Sequence, residues 1–224
     1  KSMAIGDLNE RNPEHYVQTW LAKADHAIPA LQSRIASMKA STGALKADAD
    51  TTKLKQYLVM YQVYSAFKDW QARTRAGIML TQYKLVMDLA MNNIDRPLHF
   101  STTVGQSNFM GLEKYLVQEG MVYNFVQGDT TDRRSENKDF DMDRTAYLVD
   151  SVYKYRGLGD GTAYINGETI RLLSSYTSLY LQIAFEVRED VEALMRDGTP
   201  LTVSKKKAVD EKIDFALHFL DKGI

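Results

Sequence analysis

The chain has 224 residues, of which 44% are hydrophobic and 25% charged, so it carries enough apolar material for one large domain or two small ones. Its 28 basic and 29 acidic residues give a formal net charge of -1, which removes the electrostatic basis for general nucleic-acid binding. With no cysteine, the chain has no disulfide framework, thiolate metal site or cysteine nucleophile. No stretch approaches the roughly 20 apolar residues of a bilayer span, so we expect no direct membrane insertion by this segment.

The first third of the chain has the apolar spacing of helices. From Pro13 to Met38, apolar residues recur every three or four positions: Val17, Trp20, Leu21, Ala24, Ile28, Leu31 and Ile35. Asn12 before Pro13 is a good start signal, and Pro29 is expected to kink or divide the helix. A second helix is predicted from Thr51 or Thr52, and a third from about Thr81 to Asn93. Together they predict an antiparallel helical layer.

The middle of the chain changes to a strand-like composition. Residues 98–104 are rich in β-branched and aromatic side chains, which predicts a strand that ends at the Gly105 turn. Residues 111–118 are predicted to form a short helix ended by Gly120, and residues 121–126 a second strand. This order predicts a β-α-β element with parallel pairing.

The last third again predicts helices. A short helix is expected over residues 141–155, ended by Gly157, Gly159 and Gly161, followed by a long helix over 167–196 and a last one over 204–220. The final pair predicts a tetratricopeptide-like helical hairpin. The fold class is therefore mainly α (α+β), with segments 1–79, 80–166 and 167–224 inside one compact domain.

Metal and cofactor motifs are weak. Asp139, Asp141 and Asp143 alternate like the start of a calcium loop, but Arg144 stands where that loop needs glycine. The favoured alternative is a capped helix start, and the four histidines lack the spacing of a helical zinc pair. No P-loop, dinucleotide or nucleophile-elbow motif occurs, so no metal and no cofactor are expected.

One set of residues resembles a known family. The motif residues are Asn92-Asn93, Arg96-Pro97, Phe100, Thr103-Val104-Gly105, Gly111-Leu112, Tyr115, Glu119-Gly120 and Tyr123. In this order they resemble the soluble C-terminal region of a bacterial domain-of-unknown-function family of large multi-pass membrane proteins related to protein O-mannosyltransferases of the GT-C type. Residues 141–160 and 171–187 are also similar, so the resemblance covers about half of the chain, from Leu80 onward.

The resemblance implies a role and a location. It implies a non-catalytic, extracytoplasmic or periplasmic domain, tethered to the inner membrane by the remainder of its own membrane-embedded chain. That chain would be its first partner, and an acceptor protein or glycan a second. No catalytic residue carries over, because the membrane helices and the loop with the catalytic acid of GT-C enzymes lie outside this sequence.

The motif also suggests a ligand site. Six residues are candidates because parallel strands and a helix start would converge on the turn after the first strand: Arg96, His99, Thr103, Gly105, Asn108 and Glu113. The favoured alternative is that Arg96-Pro97 and Glu119-Gly120 only fix the turns and one internal salt bridge. Two other functions stay open, a free helical adaptor that binds a peptide and, less favoured, a small hydrolase or transferase using His99 with Glu113 or Glu119.

Overall fold

Helices make up most of the fold, and three short strands form its β part. The computed structural model describes residues 13–41, 48–135, 138–154, 162, 164–196 and 202–223. In these ranges the helices are α1 (Pro13–Ala40), α2 (Asp48–Thr74), α3 (Thr81–Asn92), α4 (Met142–Tyr147), α5 (Gly167–Arg196) and α6 (Val203–Gly223). The strands are β1 (Leu98–Ser101), β2 (Leu116–Glu119) and β3 (Val122–Phe125). The mainly α, α+β class is therefore confirmed.

The chain folds as two units. The first comprises residues 1–117 and 122–139, and the second comprises residues 118–121 and 140–224. The three sequence segments 1–79, 80–166 and 167–224 stay a prediction. Among the helices that the structure describes, none is both long and apolar enough to cross a membrane.

The first unit is built on an antiparallel pair of helices, α1 and α2. The Arg34 guanidinium lies 5.4 Å from the Tyr57 ring, while nearer the other end Trp20 packs 6.0 Å from Phe67. The predicted helix is present from Pro13 onward, and it continues undivided through the exposed Pro29. Buried apolar side chains from both helices, α3 and the sheet form one cluster, among them Val17, Trp20, Val63, Phe67, Trp70, Met87, Phe100, Leu112 and Phe125.

The sheet corrects the predicted β-α-β element. The strand order is β1-β3-β2, and β1 pairs antiparallel with β3, from Leu98 opposite Phe125 to Ser101 opposite Val122. Parallel pairing was therefore a wrong prediction. Met110 and Gly111 both have left-handed backbones, with φ of 50° and 84°, which prevents one continuous helix across the connection.

The residues expected to form the short helix are divided between two structures. Leu112–Tyr115 is a single 3₁₀ turn, and β2 follows it directly. Gly120, expected to end a helix, has φ of 60° at the turn between β2 and β3. Gly120 does have the left-handed backbone expected of a glycine that ends a helix, but the turn that it forms joins two strands.

The second unit is centred on the α5–α6 hairpin. The helices run antiparallel, because Asp190 pairs with Lys212 at 2.5 Å while Tyr180 stacks 6.2 Å from Phe219. A small apolar cluster joins them to α4 and the π-helical turn that follows it: Ala146, Val149, Leu179, Tyr180, Ile183 and Phe219. The helical hairpin is confirmed, whereas the predicted glycine cluster at 157–161 lies outside the described residues.

Candidate functional site

Arg96 and His99, the first two predicted ligand residues, lie at the entrance to the sheet. Arg96 is exposed in the turn after α3, and its backbone N–H donates to the Asn93 carbonyl at 3.1 Å. His99 is exposed on β1, opposite Asn124 in the strand register. Both side chains are accessible.

Three further predicted residues form the turn after β1. The Thr103 and Ser101 hydroxyls lie 2.8 Å apart, and the Asn108 N–H donates to the Gly105 carbonyl at 2.9 Å. These contacts are local, so the turn supports its own conformation. Gly105 has an ordinary φ of -63°, and its backbone does not require glycine.

The sixth predicted residue, Glu113, is directed toward α2. Its carboxylate accepts a hydrogen bond from the Arg73 guanidinium at 2.5 Å. The two reasons for expecting a ligand crevice are absent, since the sheet pairing that involves β1 is antiparallel and residues 112–115 form only one 3₁₀ turn. The ligand role of the six residues stays a prediction.

The family motif has a structural explanation in packing. Phe100, Leu112 and Tyr115 are buried, and Phe100 packs edge-on against Phe109 at 5.3 Å. Gly111 lies so close to α2 that an added Cβ would meet the backbone of Ala66. These four motif residues therefore have a role in packing the connection against α2 and the core.

The hairpin turn within the second unit has a similar explanation. The Gly120 N–H donates to the Thr145 hydroxyl at 2.9 Å, and the Met121 N–H donates to the Tyr153 hydroxyl at 3.1 Å. A Cβ on Gly120 would collide with that same tyrosine hydroxyl. Gly120 of the motif is thus a point of close contact with Tyr153.

The predicted calcium-like residues begin a helix. Asp141 is the N-cap of α4, and its carboxylate accepts the Arg144 N–H at 2.8 Å. Within the described ranges, no three acidic or histidine side chains converge as a metal site. The capped-helix alternative therefore describes this segment.

A polar cavity of about 400 Å³ lies beside α2 in the first unit. Two ion pairs join α2 to the neighbouring 3₁₀ turn, Arg73 with Glu113 and Asp69 with Lys114, each at 2.5 Å. Desolvation opposes the charge on Lys114, but its hydrogen bond to Asp69 and the neighbouring negative groups hold the pKa of Lys114 above its ordinary value. The pairs act chiefly as a clamp that holds the turn on α2.

An apolar groove of about 420 Å³ runs between α5 and α6. The large side chains along it are exposed, with Phe185 at 58%, Leu217 at 49% and Leu181 at 45%. Its lining is almost wholly apolar: Leu181, Ala184, Phe185, Val187, Arg188, Val191, Ile213, Ala216, Leu217 and Leu220. Contiguous apolar surface in contact with water is a common mark of a binding site, so this groove is the stronger candidate.

The groove exists because α5 is apolar on two adjoining faces. Leu179, Tyr180, Ile183 and Val187 are buried in the second unit. Leu181, Ala184, Phe185 and Arg188 follow the i, i+3, i+4, i+7 spacing of a separate face. The spacing that predicts α5 does not indicate this second face, although Leu181 and Phe185 lie outside the buried stripe.

One charged side chain, Arg188 on α5, is among the residues that line the groove. Arg188 pairs with Glu192 at 2.7 Å, and Arg196 pairs with the same carboxylate at 2.9 Å. The hydrogen bond and charge of Arg188, with a smaller contribution from Arg196, hold the pKa of Glu192 below its ordinary value. One carboxylate thus serves two guanidinium groups.

These features define a mainly α protein with an apolar groove on a helical hairpin. A family profile described as TMEM260-associated domain 2 matches residues 15–144, more than half of the chain. The chain belongs to this family. The match begins well before Leu80, where the sequence resemblance began, and so includes α1 and α2. Searches of the curated proteins and of the solved structures found no match.

Proposed function

We propose that this chain is a non-catalytic docking domain of a TMEM260-like membrane protein. The main support for the proposal is the α5–α6 groove. Its leucine and phenylalanine side chains are exposed, and the free energy falls when a partner removes them from water. The partner is an apolar segment of the remainder of the protein's own chain. The family match supports the kind of parent protein.

The finer parts of the proposal rest on the sequence resemblance. It suggests a parent related to protein O-mannosyltransferases of the GT-C type, of bacterial origin, with this domain on the periplasmic or extracytoplasmic face. In that setting the domain holds the acceptor protein or glycan near the membrane-embedded enzyme. The local hydrogen bonds of Thr103 and Asn108 support a structural role for the motif turn.

A co-purification experiment tests the docking role. The membrane-embedded part of the parent is produced with the 224-residue chain in trans, extracted in detergent, and captured through a tag on the membrane part. The wild-type chain is expected to co-purify, and the amount of the Leu181→Asp variant that co-purifies should be at least tenfold lower. Leu172→Asp is the matched control, because Leu172 is 51% exposed on the same helix, nine residues away and therefore on the opposite face.

Two results would contradict this function. If the wild-type chain fails to co-purify, the docking role is wrong. If both leucine variants lose co-purification equally, the groove is not the docking surface. A parent gene that encodes only this chain, with no membrane spans, would favour the alternative function, a free helical adaptor that uses the same groove for another protein.

A further inference from the structure

The two residues at the start of α5 have the chemistry of spontaneous deamidation. Asn166 is followed by Gly167, and this is the one Asn-Gly pair in the chain. The backbone nitrogen that follows an asparagine is a nucleophile for the side-chain amide carbon. Glycine crowds that nitrogen least, because it has no Cβ and its backbone rotates most freely. Asn166 and Gly167 are both exposed, so water and hydroxide reach the pair.

Hydrogen bonds hold Asn166 as the N-cap of α5. Its Oδ1 accepts the Thr169 N–H at 2.8 Å and the Thr169 hydroxyl at 2.9 Å, and its backbone carbonyl accepts the Ile170 N–H at 3.1 Å. These contacts fix the side chain and the orientation of the peptide bond that joins Asn166 to Gly167. Both have to rotate before the Gly167 nitrogen faces the amide carbon, so the intact cap opposes the reaction.

The first turn of α5 is weakly anchored to the rest of the second unit. The buried side chains of this helix begin at Leu179, well beyond the cap. The first N–H groups of a helix have no carbonyl partner within the helix, and helix ends open at a low cost in free energy. The contacts of Asn166 with Thr169 and Ile170 are therefore a main restraint on this turn.

We propose that Asn166 is a site of spontaneous deamidation and that the reaction proceeds when the first turn of α5 opens. Hydroxide removes the proton of the Gly167 N–H, and the nitrogen bonds to Cγ of Asn166. The Cγ–Nδ2 bond breaks, and Nδ2 takes a proton from water and leaves as ammonia, so a succinimide ring remains. A second water molecule then opens the ring. Attack at Cγ gives aspartate on the original main chain, and attack at the backbone carbonyl carbon gives isoaspartate.

The two products should have opposite effects on α5. Aspartate keeps the side-chain oxygen that caps the helix and adds a negative charge at the positive end of the helix dipole, so it strengthens the cap. Isoaspartate adds one carbon to the main chain between Asn166 and Gly167. The added carbon displaces the carbonyl that accepts the Ile170 N–H, so the first turn should fray. This inference is independent of the proposed docking function.

Peptide mapping by mass spectrometry tests the site in the full chain. The chain is kept in mildly alkaline buffer for several weeks, and each asparagine-containing peptide is scored for deamidation and for isoaspartate. The Asn166 peptide should accumulate both products before the peptide that contains Asn92, an exposed asparagine followed by Asn93. Gly167→Ala is the matched control, because its Cβ would meet no packed neighbour within 4 Å among the described residues. This variant should react at least roughly threefold more slowly.

Two comparisons test the dependence on opening of the helix. Thr169→Val loses the hydroxyl contact and keeps the N–H contact, so Asn166 should react roughly two- to tenfold faster, as expected for one hydrogen bond. Urea at a concentration that unfolds the chain should also accelerate deamidation of Asn166 in the wild type. Circular dichroism should show that both variants are folded in the absence of urea.

Each contrary result identifies the step that is wrong. If Asn166 stays intact, or reacts no faster than Asn92, the site is wrong. If Gly167→Ala reacts at the wild-type rate, the Gly167 nitrogen is not the nucleophile. Equal rates in native buffer and in urea would overturn the dependence on opening, and an unchanged rate in Thr169→Val would remove the Thr169 hydroxyl from the restraint.

Discussion

Gly111→Ala should be among the most destabilising small substitutions in the first unit. Gly111 has φ of 84°, and its Cβ would lie 2.7 Å from the Ala66 carbonyl carbon and closer still to the oxygen. The left-handed backbone costs a non-glycine residue about 1–2 kcal/mol. Pushing the 3₁₀ turn away from a backbone inside a packed helix adds about 1–3 kcal/mol, as overpacking does. The expected loss is therefore roughly 2–5 kcal/mol.

Two other glycines separate the two contributions. Gly128 has a similar φ of 83°, but the nearest atom to its Cβ is the flexible Lys55 side chain at 3.3 Å, so Gly128→Ala measures mainly the backbone cost. Gly105 has an ordinary φ, and the nearest atom, in the Asn108 side chain, lies 3.8 Å from its Cβ. Gly105→Ala should change stability by no more than about 0.5 kcal/mol.

Urea unfolding followed by tryptophan fluorescence measures all three variants. The two tryptophans of the chain, Trp20 and Trp70, are both buried in the first unit's core, so the signal reports the unit that contains the three glycines. The reasoning is refuted if Gly111→Ala costs no more than Gly128→Ala, because the contact with Ala66 would then contribute nothing.

Three further predictions concern buried polar groups and the hairpin turn. Gln62→Leu removes the buried amide that hydrogen-bonds the 126–129 loop. The free energy of unfolding, measured in urea, should fall by about 2–4 kcal/mol. A loss no larger than that caused by substituting an exposed glutamine would contradict this role. Gly120→Ala should destabilise the second unit through collision with Tyr153, and hydrogen exchange should detect faster opening of α4; unchanged exchange would argue against the contact. Burial raises the pKa of Tyr115, so the folded state keeps a proton that the unfolded chain loses near pH 10. The free energy of unfolding should therefore be constant with respect to this group below about pH 10 and should fall above it. The fall should be less steep in Tyr115→Phe.

The helices were predictable because their signals are local and repeated. The apolar residues predicted for the first helix recur every three or four positions, and the structure has one helix over Pro13–Ala40. The apolar periods of α5 and α6 run over many turns, so single exceptions did not hide them.

The strands were harder because short apolar runs do not define their partners. Residues 116–119 suit a helix end or a strand equally, and Gly120 suits a helix end or a hairpin turn. Tertiary contacts decide, since the Gly120 and Met121 N–H groups are bound by Thr145 and Tyr153 far along the chain. A sequence pattern contains no record of such distant donors and acceptors.

The contacts of the candidate site show the same limit of local sequence patterns. Glu113 was grouped with Asn108 because they are close in sequence, but Arg73 on α2 holds the carboxylate. The groove was missed because its walls are 20 or more residues apart, and the spacing within either helix does not show that the two exposed apolar faces meet. A site predicted from local residue spacing alone includes neither the ion pair of Glu113 with Arg73 nor the approach of α5 to α6.

The family match and the groove concern different parts of the chain. The match ends at Arg144, whereas the groove begins at Leu181. Family membership therefore rests on the part of the chain that contains α1, α2, α3 and the sheet. The proposed docking role rests instead on the side chains of α5 and α6, whose exposed apolar surface lies outside the matched residues.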